Sequence, residues 1–103
     1  MMNSIDYQKA NWQRIDETKR NLLVSDLKDW IPFDEMKELR EIAKVNFAVP
    51  GFHFMAGMQI RNRLRMTMKD DQLPVVETYP DGAPYGQQNW DDFYMAAILE
   101  ACE

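Results

Sequence analysis

The chain has 103 residues, of which 46% are hydrophobic and 28% are charged, and its formal net charge at pH 7 is −5. These values indicate one globular domain, residues 1–103, and exclude a disordered chain, because the apolar content is sufficient for a single hydrophobic core. No segment approaches the roughly 20 apolar residues of a membrane span, and the polar N-terminus does not resemble a signal peptide. We therefore expect no membrane partner.

The chain contains a single cysteine, Cys102, and a single histidine, His53. A lone cysteine cannot form an internal disulfide, and one cysteine with one histidine does not supply the ligands of a structural zinc site. We therefore expect no metal, no other cofactor and a reducing, cytoplasmic location.

Charge is distributed unevenly along the chain. Residues 1–48 contain nine acidic and eight basic residues, residues 49–69 contain four basic and no acidic residues, and residues 70–103 contain eight acidic and no basic residues. The net charges of these segments are therefore −1, +4 and −8. An acidic protein of this kind is disfavoured as a general nucleic-acid binder, although its basic segment is a candidate contact.

Apolar residues recur with helical spacing through most of the chain, which predicts an all-α fold. The longest predicted helix docks through Trp12 and Ile15. Pro32 should end or kink the helix that follows, because proline removes a backbone donor. Asn89 is a suitable N-cap for the last helix. We predict a compact single-domain bundle of about five helices, at residues 4–23, 25–31, 34–47, 53–69 and 90–102.

A long loop is predicted before the last helix, at residues 70–88. This stretch contains three prolines and two glycines and lacks helical periodicity. Loops of this length in compact domains are usually functional or mobile. The predicted core of the bundle comprises Trp12, Leu39, Ile42, Phe54, Ile60, Leu64, Phe93, Ala97 and Ile98.

Residues 53–62 read HFMAGMQIRN, and residues 90–94 read WDDFY. The first segment resembles the core motif of an uncharacterised bacterial and phage family, a domain of unknown function with a sequence close to HFGLGxWIRNN. The second segment weakly resembles a PDDMS-like segment that precedes the last helix of that family. The chain departs at Gln59, where the family favours an aromatic residue, and at Arg63, where a second asparagine is usual. The matching residues are His53, Phe54, Gly57, Met58, Ile60, Arg61, Asn62, Asp91 and Asp92.

The resemblance implies a small helical domain of phage or bacterial origin and supplies no activity. The residues themselves predict a buried polar joint. His53, Gly57 and Arg61 are spaced by four, so on a helix they share a face that glycine leaves open to close approach. The joint would consist of His53, Gly57, Arg61, Asn62, Asp91 and Asp92, with an ion pair between Arg61 and one of the two aspartates.

Two other interpretations of this joint remain open at the level of sequence. Arg61 can contact a partner, or a small ligand can occupy a pocket around His53, Gly57 and Arg61. Catalysis is not expected, because the chain has no G-x-S-x-G, no phosphate-binding glycine loop and no H-E-x-x-H, and Cys102 is far from His53 in sequence.

Nucleic-acid contact is an alternative function for the basic helix at residues 61–69. Arg63, Arg65 and Lys69 would contact phosphates, while Tyr79, Tyr85 or Trp90 would stack on bases. So few cations support only weak, salt-sensitive binding, and the neighbouring acidic segment would repel the same backbone. Nucleic acid is therefore an unlikely partner.

The leading hypothesis is a small, acidic, non-catalytic interaction protein, consistent with a phage origin. Eight methionines and three tryptophans can form an adaptable apolar surface beside the acidic end of the chain. The predicted partner is a host protein, and whether binding inhibits it is left open, as is the oligomeric state. The candidate contact residues are Asp71, Glu77, Tyr79, Asp81 and Tyr85.

Overall fold

The computed structural model describes residues 4–75 and 89–103. Within these ranges the chain forms helices and no strand. The predicted all-α bundle of about five helices is confirmed. The α-helices of the described ranges are α1 at Ser4–Trp12, α2 at Glu17–Trp30, α3 at Phe33–Lys44, α4 at Ala56–Thr67 and α5 at Tyr94–Ala101, with short 3₁₀ turns at Asp70–Gln72 and Trp90–Asp92.

Helix α5 is the centre of the bundle. It contacts the other four helices, most extensively α1 and α2. Its alanines let neighbouring helices approach closely, while its larger side chains fill the core between them. Its fully or nearly fully buried residues are Tyr94, Ala96, Ala97, Ile98 and Ala101.

The predicted long first helix is wrong. Residues 13–16 form a turn, so α1 ends at Trp12 and α2 runs from Glu17 to Trp30 across both predicted helices. The turn buries both Trp12 and Ile15, which are each 2% exposed. The Arg20 side chain stabilises it by donating to the Ile15 carbonyl oxygen at 2.9 Å. Helix α2 ends at Trp30, two residues before Pro32, which agrees with the effect predicted for this proline.

The connection between α3 and α4 corrects one predicted core residue. Residues 51–55 form turns, so α4 begins at Ala56 and the helical spacing that assigned Phe54 to the core does not apply. Phe54 is 75% exposed, whereas Phe47 and Phe52 are each 5% exposed and stack at 5.2 Å between ring centroids. Ile42 is partly buried against the core. The remaining predicted core residues are buried: Trp12, Leu39, Ile60, Leu64, Phe93, Ala97 and Ile98.

Residues 70–75 of the predicted 70–88 loop lie within the described residues. Asp70–Gln72 forms a 3₁₀ turn, and Leu73 is buried. The remainder of the loop lies outside the described residues.

The two neighbouring phenylalanines provide a test of the core assignment. Phe52→Ala should lower the free energy of unfolding by about 3–5 kcal/mol, because it removes a buried ring. Phe54→Ala should change it by less than about 1 kcal/mol, because the Phe54 ring is exposed. Chemical denaturation of the two variants measures both effects. Equal destabilisation would contradict the described path of residues 51–55.

Candidate functional site

Arg61 is a buried cation at the centre of the predicted polar joint. The residue is 5% exposed, and its Nε lies 2.9 Å from Oδ1 of Asp91. Its terminal nitrogens donate to His53 Nδ1 at 3.0 Å and to the His53 carbonyl oxygen at 2.9 Å. A buried guanidinium needs both an opposite charge and acceptors for its N–H groups. Of the two aspartates that the sequence offered as partners for Arg61, Asp91 is therefore the one that forms the ion pair.

Gly57 gives space to Phe52 and Tyr94. A Cβ atom on Gly57 would lie 2.9 Å from the Phe52 carbonyl oxygen and 3.2 Å from Cε2 of Tyr94. The Gly57 N–H also donates to the same Phe52 oxygen at 2.8 Å. The close approach predicted at Gly57 therefore comes from the protein itself, which fills the space that the small-ligand interpretation requires.

His53 precedes α4, so its predicted place on a continuous helical face with Gly57 is wrong. Its contact with Arg61 nevertheless determines its tautomer. Arginine can only donate, so Nδ1 of His53 is the acceptor and the neutral ring carries its hydrogen on Nε2. The Tyr94 hydroxyl oxygen lies 3.2 Å from the same Nδ1. A general base needs a free lone pair, and the lone pair of this neutral ring is already engaged.

Tyr94 completes the joint from α5. The Arg61 Cζ atom lies 4.8 Å from the centroid of the Tyr94 ring, in a cation–π arrangement. Burial raises the pKa of the Tyr94 hydroxyl, and the neighbouring Arg61 charge offsets part of this effect. The hydroxyl therefore remains protonated at neutral pH and can donate a hydrogen bond.

Asn62 pairs with Arg65 in the next turn of α4. The Asn62 Oδ1 accepts from Arg65 at 2.9 Å, and Nε of Arg65 lies 3.1 Å from both carboxylate oxygens of Asp70. Asp70 also accepts from the backbone N–H of Trp90 at 3.1 Å. These bonds attach the end of α4 to the turn that precedes α5.

The two aspartates of the motif have different positions. Asp91 contacts Arg61 through its side chain, whereas the backbone oxygen of Asp92 accepts from Asn11 of α1 at 3.1 Å. Asn89 accepts from the Asp91 N–H at 2.7 Å and so caps the turn at Trp90–Asp92, not the last helix as predicted, because α5 begins only at Tyr94 after Phe93. The turn at Trp90–Asp92 thus joins α1, α4 and α5.

The arginines proposed for nucleic-acid contact are engaged within the protein. Arg63 donates to both carboxylate oxygens of Asp26 at 2.8 and 2.7 Å, and this hydrogen bonding raises the pKa of Arg63. Arg65 pairs with Asp70. Lys69 is exposed. The positive charge of this segment is therefore largely compensated by nearby carboxylates.

Asp71 is the predicted partner-contact residue that the structure describes, and its side chain is exposed in the turn after α4. The other predicted contacts lie outside the described residues. They are Glu77, Tyr79, Asp81 and Tyr85.

Sequence reasoning missed a groove between the end of α2, the length of α3 and the start of α4. Its volume is about 290 Å³. The Trp30 and Met55 side chains lie in it with exposures of 38% and 67%. The lining residues of α3 are two acidic and two apolar side chains at helical spacing: Glu35, Glu38, Leu39 and Ile42. This spacing is the signal in the sequence that could have indicated the α3 side of the groove. The groove is lined by Trp30, Ile31, Glu35, Glu38, Leu39, Ile42, Met55, Ala56, Gln59 and Ile60.

No family model matches the chain, and comparison with curated proteins and with solved structures found no match. The resemblance of residues 53–62 and 90–94 to the uncharacterised family therefore stays a prediction. Within residues 4–75 and 89–103, no group of three or more His, Cys, Asp or Glu side chains could hold a metal ion. In the same ranges, each helix is too short or too polar to cross a membrane.

The space beside Gly57 can be tested by one added methyl group. Gly57→Ala should destabilise the protein by about 1–3 kcal/mol, because Cβ would crowd the Phe52 backbone. Helix propensity alone would favour alanine by about 1 kcal/mol. Thermal and chemical unfolding measure the difference, with Gln59→Ala at an exposed position of α4 as the control. A more stable Gly57→Ala variant would show that the space is open.

The tautomer of His53 can be measured directly by long-range ¹H–¹⁵N correlation spectra at pH 8. We expect the hydrogen on Nε2, because Nδ1 accepts from Arg61. A hydrogen on Nδ1 in the unmodified protein would contradict the described joint.

Proposed function

We propose that this protein is a non-catalytic interaction protein that binds a host protein through an acidic and apolar surface. The observation that carries the proposal is the groove between α2, α3 and α4. Its exposed Trp30 and Met55 side chains lie beside the carboxylates of Glu35 and Glu38. Aromatic residues and methionine are enriched where proteins bind one another.

Further exposed apolar side chains belong to segments that contribute to the groove. Phe33, at the start of α3, is 76% exposed, and Phe54 and Met58, on either side of the groove residue Met55, are 75% and 44% exposed. Single exposed apolar residues are ordinary, but large ones concentrated in the same segments favour a binding surface.

The geometry of the polar joint supports a non-catalytic role. His53, the one histidine of the chain, uses its acceptor nitrogen for Arg61. Arg61 in turn is buried and paired with Asp91. Each group therefore already has a partner within the protein, as expected for a structural element.

The nucleic-acid alternative has less support. Binding through phosphates requires available lysine or arginine side chains that displace the counterions condensed on the nucleic acid. Arg63 and Arg65 already pair with Asp26 and Asp70, so their use would require breaking ion pairs within the protein.

The proposal can be tested by affinity capture from a nuclease-treated bacterial lysate. Retained proteins are identified and purified, and their direct binding is measured by calorimetry. We expect at least one direct protein partner whose affinity falls as salt is added, because the surface is acidic. Replacement of Asp71, Glu77 and Asp81 by their amides should weaken this binding if the acidic segment contributes to it.

The nucleic-acid alternative is measured in parallel with labelled single-stranded DNA and RNA at physiological salt. Micromolar binding to either, together with the absence of a direct protein partner, would contradict the proposal. The charge-reversed variant Arg63→Glu with Arg65→Glu, shown to be folded, should then lose that binding.

A further inference from the structure

We infer that the groove between α2, α3 and α4 binds a short amphipathic helix of the partner, with basic residues on either side of its apolar face. This inference rests on the proposed function and specifies the partner's chemistry. Trp30 is the central contact, and Glu35 and Glu38 select the basic residues.

The size and surroundings of the groove favour a few side chains of a helix. A volume of about 290 Å³ lies at the lower limit for whole small-molecule sites, which occupy about 300–1,000 Å³. It suits one or two large side chains. Its lining residues lie in α2, α3 and α4 or directly next to these helices, and none of them is in a strand, so the groove offers no strand edge to which an extended peptide could add. Docking must therefore use side chains, as when an amphipathic helix lies in an apolar groove.

The charges of the groove define the sign of its occupant. Glu35 and Glu38 are three residues apart on α3, where like charges are neighbours and repel each other weakly. The groove lining contains no lysine or arginine. A cation from a partner would relieve this repulsion, whereas an acidic helix would increase it. Basic residues on the partner therefore complement this wall.

Trp30 is held in place before any partner binds. The Arg63 Cζ atom lies 5.5 Å from the centroid of the Trp30 ring, and Arg63 is itself fixed by two hydrogen bonds to Asp26. A side chain held in its bound orientation loses less conformational entropy on association. Tryptophan is also among the residues that most often dominate binding energy. Arg63, which the sequence suggested as a phosphate contact, thus positions the Trp30 ring for contact with a partner protein.

The inference is tested with a displayed library of random peptides, each long enough for about four helical turns. The full chain is the immobilised target. We expect selected peptides to contain lysine or arginine around large apolar residues spaced by three or four. Enrichment of acidic peptides, or failure to select any binder, would overturn the inference.

One selected peptide is then synthesised and titrated into the protein. Calorimetry measures the affinity of each variant, and in the unmodified protein the change in tryptophan fluorescence on binding reports mainly on Trp30, because Trp12 and Trp90 are 2% and 0% exposed. Trp30→Ala should weaken binding about tenfold or more. Leu22→Ala, which removes an exposed apolar side chain of the same helix outside the groove, should change it by less than about threefold.

A second pair of variants separates local charge from net charge. Glu35→Lys with Glu38→Lys should weaken binding about tenfold or more, whereas Glu17→Lys with Glu41→Lys changes the net charge equally outside the groove and should have little effect. Circular dichroism and thermal unfolding first show that all variants are folded. Equal losses in both pairs would overturn the inference.

The outcomes distinguish this inference from the proposed function. A captured host protein that binds the Trp30 and Glu35/Glu38 variants as tightly as the unmodified protein would support interaction but overturn the groove as its site. Self-association of the unmodified protein in sedimentation experiments, lost in the groove variants, would identify a second copy of this chain as the occupant and would also overturn it.

Discussion

The burial of the Arg61 guanidinium is the constraint on which the arrangement of the C-terminal half depends. A buried cation is strongly destabilising unless an anion and hydrogen-bond acceptors surround it. Asp91 supplies the anion from the turn before α5, and His53 supplies two acceptors from the turn before α4. Segments far apart in sequence must therefore meet at one place. The Tyr94 ring packs into the space that Gly57 leaves open, so α4 and α5 lie in close contact there.

The pairing of arginines with carboxylates within the fold also determines the charge of the surface. Arg61, Arg63 and Arg65 each pair with a carboxylate. The segment that looks basic in sequence therefore has much of its charge compensated in the folded protein. On α3, by contrast, Glu35 and Glu38 lie beside apolar side chains in a groove without basic residues. The proposed function follows from this difference between compensated cations and available carboxylates.

The polar joint could be predicted in part because its signals are local. The donors of Arg61 and the acidic residues at the start of the last helix indicated a pairing of Arg61 with Asp91 or Asp92. The spacing by four, in contrast, placed His53 wrongly on a helical face with Gly57, and Asn62 bonds to Arg65 instead. The groove could not be predicted in the same way. It requires the end of α2, α3 and the start of α4 to meet, and no local spacing encodes that meeting.

The sequence by itself determined the all-α class, the approximate number of helices, the stop near Pro32 and a capping role for Asn89, although the segment that Asn89 caps is the turn at Trp90–Asp92 and not α5. These features depend on periodicity and backbone chemistry within a few residues. Only the tertiary structure decided where the chain turns without a glycine or proline. Residues 13–16 form such a turn, because burial of both Trp12 and Ile15 stabilises the fold more than a continuous helix would. It also decided that Phe52 is buried and Phe54 exposed, because the path of residues 51–55 is set by packing against Tyr94 and Gly57. Such choices depend on the free energy of the whole core, which no short segment contains.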